Sequence, residues 1–208
     1  MKQGICLIAI GVMGLLGVYL VTELQKKSNV ADAIEARRSI RAYKDTPVER
    51  EKLQLLAEYG VKAPSAMNKQ EWELRIVDSK EWIDNCTAAY MKAVEGTGKA
   101  DYMKGPNFKN IFRNGSAVIF VAAPEGKFAG ENVGCLAQNI MLAATEMGLG
   151  TCFLGSVQMI FEEAALAEHL QSLGFSEGYK LRYALAVGYP DEAPAAKERD
   201  MSKIKFVE

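Results

Sequence analysis

Three arginines stand within five residues of one another in the segment ARRSIRAY, which runs from Ala36 to Tyr43. A guanidinium group binds phosphate through forked, charge-assisted hydrogen bonds, and a hydroxyl group can donate a further bond. We therefore expect Arg37 and Ser39 to bind a phosphate group and Arg41 to reach a second anionic group. The alternative is that these cations only stabilise the carboxyl-terminal end of a helix and otherwise lie in solvent.

Two further segments have compositions that suit a ligand site. The first, Pro64–Gln70 (PSAMNKQ), is a polar connection whose amide and hydroxyl groups can line a ligand. The second, Gly148–Ser156 (GLGTCFLGS), follows a long helical pattern, and its glycines allow close approach of the backbone and expose N–H groups. Taken alone, each segment is equally consistent with an ordinary turn.

The three segments occur in the order R-R-S-x-R, P-S-x-x-N-x-Q-x-W and G-L-G-T-C-F-L-G, and as a set they resemble the nitroreductase family of flavin enzymes. The resemblance extends from about residue 31 to the carboxyl end and includes a late basic pair, Lys197 and Arg199. It implies an FMN site shared between the two subunits of an intertwined homodimer.

The resemblance also implies roles for the basic residues. The residues that would hold the FMN phosphate are Arg37, Ser39, Lys197 and Arg199. Arg38 would contribute through its backbone. Arg41 would lie beside the N1/O2 edge of the flavin ring, where a permanent positive charge stabilises the reduced ring, so it is the residue to which we assign a catalytic role.

The remaining matching residues would contact the ring and the ribityl chain. Those expected from the opposite subunit are Pro64, Ser65, Ala66 and Asn68. Leu154 and Gly155 would present backbone groups to the N5 side of the ring.

The activity implied by the resemblance is an FMN-dependent oxidoreductase. Hydride would pass from NADH or NADPH through flavin N5 to a small nitroaromatic or quinone-like acceptor, with ping-pong kinetics. A related flavin dehalogenase or dehydrogenase is an alternative. Two readings from other classes stay open: a membrane-tethered protein that binds flavin or another phosphate ligand without turnover, and a basic segment (Lys26, Lys27, Arg37, Arg38) that contacts anionic lipid.

The chain departs from the family pattern at three places. Glu71 occupies the position where the family usually has proline before tryptophan, and it brings a charge near the expected ring edge. The mid-chain residue expected to contact the ring pyrimidine is Asn107, Asn110 or Asn114, and the sequence does not choose among them. Only residues 90–113 separate the second and third strand regions, so we expect an open, permissive pocket.

The elements that must position these residues can be read from hydrophobic periodicity. Apolar residues recur at helical spacing from Val30 behind a Ser28/Asn29 cap, and again towards Gly60 after a capping box at Thr46–Glu49 with proline at the first helical position. A longer helix is predicted from Val133 to Met147, ending at Gly148 and Gly150.

Strands are predicted at residues 72–78, 117–123 and 181–188, with a short final strand at 202–207. The continuous apolar run AVIFVAA at 117–123 predicts a central strand covered on both faces. Because helices alternate irregularly with these strands, the pattern indicates an α+β fold with a mixed central sheet flanked by helices.

Composition excludes several classes of function. The 208 residues carry a formal charge of −1, which argues against a nucleic-acid-binding protein. The four cysteines have no metal-ligand spacing, so no metal site is expected. Cys152 and the single histidine, His169, are expected to be a packed thiol and a surface or capping residue, respectively.

The amino-terminal part differs in kind from the rest. Residues 5–21 (ICLIAIGVMGLLGVYLV) carry no charge and reach about the minimum length that spans a bilayer as a helix. We expect residues 1–29 to form a hydrophobic anchor and linker, and residues 30–208 to form the FMN-binding domain on the cytoplasmic side. A cleaved export signal, a buried helix or a misassigned start are the alternatives.

Overall fold

The structure, a computed structural model, describes residues 30–207. Its centre is a four-stranded sheet in the order β1-β2-β4-β3. The strands are β1 (Glu73–Val77), β2 (Ala117–Pro124), β3 (Gly150–Leu154) and β4 (Tyr179–Gly188). The helices are α1 (Val30–Ala36), α2 (Arg50–Gly60), α3 (Lys80–Ala93), α4 (Ala129–Glu146), α5 (Val157–Phe161) and α6 (Ala167–Ser172).

The prediction of a mixed sheet was wrong for these strands, because all three strand pairs are antiparallel. Periodicity locates strands but does not encode their direction, which depends on where each long connection returns to the sheet. The one parallel contact within the described chain is an isolated bridge between Ser39 and Thr151.

Strand β2 lies in the sheet interior and is buried from Ala117 to Ala123, so the prediction of a central strand is confirmed. Its side chains alternate between two cores, as strand geometry requires. Val118 and Phe120 pack towards α3 and α5, whereas Ile119 and Val121 pack towards α2 and α4. The helix pair α2 and α4 therefore covers one face of the sheet, and α3 with α5 covers the other.

Helix α2 begins later than predicted. It starts at Arg50, with Glu49 as its N-cap and without a side-chain cap bond, so Pro47 is not the first helical residue and the predicted capping box does not form. The Glu49 carboxylate instead accepts a hydrogen bond of 2.7 Å from the Tyr189 hydroxyl. This hydrogen bond to Tyr189 takes the place of the hydrogen bonds predicted within the capping box.

In the last third of the chain, one alternative reading is excluded and one prediction fails. Residues 150–154 form strand β3 rather than a turn, since pairing with β4 compensates for a short sequence that begins with glycine. The predicted strand at 202–207 is instead a 3-10 turn, Met201–Lys203, followed by exposed irregular chain, since no described strand pairs with it. Cys152 is buried, as predicted for a packed thiol.

The predicted hydrophobic segment at 5–21 and the Ser28/Asn29 cap lie outside the described residues. Within residues 30–207, no helix combines the length and the apolar character needed to cross a bilayer.

Candidate active site

The arginine-bearing segment after α1 lies against the start of β3. The Ile40 N–H donates to the Thr151 carbonyl at 2.9 Å, and Ser39 forms a bridge with Thr151. Gly150 permits this approach, because a Cβ atom there would lie 2.8 to 3.0 Å from three atoms of the Ile40 side chain. Residues 39 and 40 therefore run along the outer edge of β3.

A second contact fixes the same segment to the chain that leaves β4. Lys44 N–H donates to the Tyr189 carbonyl, and Asp191 N–H donates to the Ala42 carbonyl, both at 2.9 Å. The Glu192 carboxylate accepts hydrogen bonds from the backbone N–H groups of Arg41 and Ala42. Neither the later segment nor Glu192 was singled out by the sequence analysis.

Tyr43 completes the anchoring of this segment. It is buried, and its hydroxyl donates to the Ile40 carbonyl at 2.7 Å. Its ring lies where a Cβ atom of Gly188 would stand. Burial raises the pKa of the Tyr43 hydroxyl, so that group stays neutral and keeps its donor proton.

The predicted arginines divide into one structural residue and two with available guanidinium groups. Arg38 Nη1 donates to the carbonyls of Glu35 and Arg37, at 2.6 and 2.8 Å, at the carboxyl-terminal end of α1. Its side chain thus matches the alternative reading of a helix-terminal cation. Among residues 30–207, no carboxylate lies within ion-pair distance of Arg37 or Arg41.

A third guanidinium group, that of Arg113, joins Arg37 and Arg41 near Cys152. Burial raises the pKa of the Cys152 thiol. The positive charges of Arg41, Arg113 and Arg37 oppose that rise, and the negative charge of Glu192 adds to it. Sequence reasoning missed Arg113. The signal that points to it is its place in RNG, directly before the central strand.

Arg41 and Arg113 line one small cavity of about 180 Å³. The other lining residues are Met103, Gly105, Pro106, Asn107, Phe108, Asn110 and Asn114. All three candidate asparagines are therefore at this cavity. Asn110 and Asn114 form hydrogen bonds within the turn at residues 110–115, and the Asn114 amide also donates to the Arg41 carbonyl at 2.9 Å. Asn107 is exposed and is therefore the remaining candidate.

The loop from Pro64 to Gln70 stands at the opposite end of the sheet. Ala66 N–H donates to the Asn132 side chain at 3.0 Å, beside the start of α4, and Gln70 N–H donates to Ser65 Oγ at 3.0 Å. Left-handed backbone at Met67, Asn68 and Gln70 shapes the loop. The eight residues of β2 separate this loop from Arg41 by about 25 Å, so one chain does not bring the two sets together.

The remaining predicted ligands occupy the edge strand and the tail. Leu154 ends β3, and within the described chain no residue pairs with the outer edge of β3 beyond Thr151. Leu154 and the exposed Gly155 thus follow the arginine segment along an open edge. Lys197 and Arg199 are exposed in the irregular segment after β4, and Arg199 donates to the Lys197 carbonyl at 3.1 Å.

Glu71, the departure from the family pattern, is half-buried. Its carboxylate lies 3.8 Å from Lys69 Nζ, which partly balances its charge. Both residues line a cavity of about 250 Å³ with Phe128 and Asn132, beside the loop from Pro64 to Gln70. The Glu71 carboxylate, which the sequence analysis expects near the ring edge, therefore has a cationic partner.

Comparison with known proteins identifies the family of this chain. A model of the Nitroreductase family matches residues 34–189. The chain is 28% identical to a nitroreductase with bound FMN from Desulfitobacterium hafniense DCB-2, with a TM-score of 0.77 over 86% of this chain and 98% of the other. It is 25% identical to a nitroreductase with bound FMN from Bacteroides fragilis, with a TM-score of 0.71 over 86% and 99%.

A relative known by sequence points the same way. The NADPH-flavin oxidoreductase of Vibrio harveyi is 27% identical over 180 residues, which cover 83% of this chain and 70% of the relative. The family model covers well over half of the chain. It includes the arginine segment, the residues at 103–114 that line the cavity beside Arg41, and the whole sheet. The chain belongs to the nitroreductase family.

Proposed function

We propose that this chain is an FMN-dependent oxidoreductase that takes hydride from NADH or NADPH and delivers it to a small nitroaromatic or quinone-like acceptor. Bound FMN in the solved relatives and the name of the Vibrio harveyi relative support the cofactor and the donor. The observation that carries the proposal is a set of guanidinium groups without carboxylate partners in the described chain, beside the open edge of β3.

The residues present fit FMN. A phosphomonoester needs forked cationic donors, which Arg37 supplies together with the Ser39 hydroxyl. Lys197 and Arg199 lie on an exposed segment that belongs to no helix or strand of the described chain. The flat ring needs backbone along one side, which the unpaired edge of β3 at Leu154 and the exposed Gly155 can supply.

When bound, FMN supplies a ring nitrogen, N5, that accepts hydride from the nicotinamide and returns it to the acceptor, so that both substrates use one pocket in turn with ping-pong kinetics. Arg41 places a permanent positive charge at the edge where negative charge develops. The Glu192 and Asn114 contacts hold the Arg41 backbone in place. Hydride transfer does not require a side chain that donates or accepts a proton. The single histidine, His169, is not at this site, because its ring packs 5.4 Å from the centre of the Trp82 ring.

A complete site requires two chains. The loop residues Pro64, Ser65, Ala66 and Asn68 stand a strand's length from Arg41 in the same chain. A twofold dimer can bring the loop of one subunit to the arginines of the other. This separation supports the homodimer with shared FMN sites.

The amino-terminal segment supports a further part of the proposal. The uncharged run at residues 5–21 has the length and composition of a membrane-spanning helix. We propose that it anchors the enzyme to a membrane, with residues 30–208 on the cytoplasmic side, where NADH and NADPH are available.

The test is to purify the full chain in mild detergent, record its visible spectrum, and titrate it anaerobically with NADH and NADPH. We expect a yellow protein that bleaches with one of the two donors and regains its colour on addition of a quinone. A chromophore that stays oxidised would identify a binding protein without turnover. A colourless chain that does not take up added FMN would overturn the proposal.

A further inference from the structure

The cavity beside Arg41 has an unusual charge. Two guanidinium groups, those of Arg41 and Arg113, line it, and none of its lining residues is acidic. Among residues 30–207, neither group forms an ion pair. The Glu192 carboxylate contacts the arginine segment, but it accepts hydrogen bonds from the backbone N–H groups of Arg41 and Ala42 and not from a guanidinium group. Two guanidinium groups at one cavity favour an anionic ligand, and the Glu192 carboxylate close to Arg41 balances only one of them.

The backbone at Arg113 is strained in a way that places this side chain. Arg113 and Asn114 have φ values of 53° and 67°, in the left-handed region that residues with a Cβ atom seldom adopt. Such outliers persist where the surrounding structure imposes them and cluster at functional sites. An ordinary solvated arginine has no need of this conformation.

Asn110 imposes the strained turn. Its Oδ1 accepts hydrogen bonds from the N–H groups of Phe112 and Asn114, at 3.0 and 3.1 Å, and its Nδ2 donates to the Gly115 carbonyl at 3.1 Å. Asn110 is buried, so these bonds are protected from water. The turn is thus a rigid support for Arg113.

The guanidinium group of Arg113 is also oriented. It lies 5.1 Å from the centre of the Tyr102 ring, and Nη1 donates to the Tyr102 carbonyl at 3.4 Å. A guanidinium group has five N–H donors, so donors remain for a ligand. Met103 and Phe108 supply an apolar wall to the same cavity. The combination suits an apolar or aromatic body that carries a negatively charged substituent.

From these contacts we infer that Arg113 selects electron acceptors that carry an anionic group such as a carboxylate, while Arg41 serves the edge of the flavin ring. This inference rests on the proposed oxidoreductase function. The cavity, at about 180 Å³, is smaller than the roughly 300–1,000 Å³ of pockets that enclose a whole ligand, so it fits the charged end of an acceptor. The phosphate of FMN has its own predicted ligands at Arg37 and Ser39, and Arg41 and the asparagines of the cavity have the edge of the flavin ring as their expected partner. Arg113 is the cavity's cation with no expected role at FMN.

The experiment compares 4-nitrobenzoate with the neutral 4-nitrobenzamide as acceptors for the full-length, FMN-loaded enzyme and its Arg113→Gln variant. We expect the ratio of the two kcat/KM values to favour 4-nitrobenzoate in the wild type and to fall about tenfold in the variant, since a charge-assisted hydrogen bond is lost. Arg113→Lys, which keeps the charge, should keep most of the preference.

A matched control is Lys104→Gln, which removes one positive charge from the same segment but not from the cavity lining; Lys104 pairs with Asp101 at 3.0 Å. It should leave the ratio unchanged. A second readout is independent of turnover: calorimetric binding of benzoate to the oxidised protein should weaken about tenfold in Arg113→Gln, whereas benzamide binding should not change.

Three outcomes would overturn the inference. The wild type does not distinguish the charged from the neutral acceptor, or Arg113→Gln lowers both kcat/KM values equally, as a purely structural residue would. Alternatively, Arg113→Gln changes the NADPH-to-NADH preference and leaves the acceptor ratio intact, in which case the anion belongs to the donor. Absence of bound flavin or of reduction by NADH and NADPH would instead count against the proposed function, and benzoate binding would still test the cavity.

Discussion

Glu192 accepts hydrogen bonds from the backbone N–H groups of Arg41 and Ala42, although it follows Arg41 by 151 positions in the chain. The carboxylate thereby joins the two segments from which the expected phosphate ligands come, Arg37 and Ser39 before it and Lys197 and Arg199 after it. It also places a negative charge close to Arg41 without pairing with the Arg41 guanidinium group. Both effects bear on the flavin.

The first prediction separates these effects with two substitutions at Glu192. Glu192→Gln keeps an oxygen acceptor and removes the charge, so FMN affinity should change little while the flavin midpoint potential rises, because the anionic reduced ring meets less repulsion. Glu192→Ala removes the acceptor as well, and FMN should bind about tenfold more weakly. Fluorescence titration of the apoprotein and a redox titration measure the two quantities. Equal behaviour of both variants would contradict this division.

The second prediction concerns the contact of Gly150 with Ile40. A methyl group at position 150 would lie 2.8 to 3.0 Å from the Ile40 side chain, which is 7% exposed, so Gly150→Ala should push residue 40 off the strand edge. We expect a loss of about 1–3 kcal/mol in the free energy of unfolding and weaker FMN binding. Denaturant unfolding and fluorescence titration measure both.

The control is Gly126→Ala, because no atom lies within 4 Å of a Cβ there and its φ is not in the left-handed region. That variant should match the wild type in both measurements. If Gly150→Ala did so too, residues 39 and 40 would not depend on this close approach.

The third prediction concerns thiol reactivity. The thiolate is the reactive form, and burial raises the pKa of Cys86 to about 12 and also raises that of Cys152. Cys135 is exposed on α4. In a Cys6→Ser background, which removes the cysteine outside the described residues, alkylation at pH 8 should modify Cys135 first. Mass spectrometry of the peptides, with unfolded protein as the control, identifies the modified site; early modification of Cys86 would contradict its burial.

The parts of the fold that follow from local pattern were predicted, and those that depend on distant contacts were not. Strands β2 and β4 and helix α4 have strong apolar periodicity, and they formed where expected. Strand β3 begins with Gly150 and has no such pattern, so its pairing with β4 and with Ser39 decides its conformation. The antiparallel direction of the strands likewise depends on pairing between distant segments and not on the local sequence.

The site shows the same division. The arginine segment could be found from residue types alone, because three arginines fall within five consecutive residues. Arg113 and Glu192 could not be found in this way. A turn held by Asn110 places Arg113 at the cavity that Arg41 also lines, and Glu192 contacts the Arg41 backbone from the far end of the chain. Neither arrangement leaves a local signature.

The fourth prediction concerns the anchor. Full-length chain should sediment with membranes and resist extraction by high salt, because the free energy of burying residues 5–21 in lipid does not depend on ionic strength. Deletion of residues 1–29 should release the protein. Ultracentrifugation after a salt wash and after detergent measures this. Full-length protein that stays in the supernatant would refute the anchor, and release by salt alone would favour an electrostatic contact with anionic lipid.

The last prediction tests whether the site is built from two chains. Arg41→Met removes the charge proposed for the ring edge. Ser65→Asp keeps an acceptor for the Gln70 N–H and adds a negative charge in the loop proposed to line the ring. Each variant alone should be nearly inactive. Because Arg41 and Ser65 lie at opposite ends of the sheet within one chain, a mixed dimer would combine one site with both defects and one site with neither.

Co-expression of the two variants with separate affinity tags tests this directly. In a random mixture half of the dimers are mixed, and half of the sites in each of those are intact, so activity should recover to about 25% of the wild type. Tandem purification through both tags isolates the mixed dimer, whose activity should be about half of the wild type. The control is the double variant expressed alone, which should stay inactive. If the mixed dimer were as inactive as its parents, the arginines and the loop would not meet across a subunit interface.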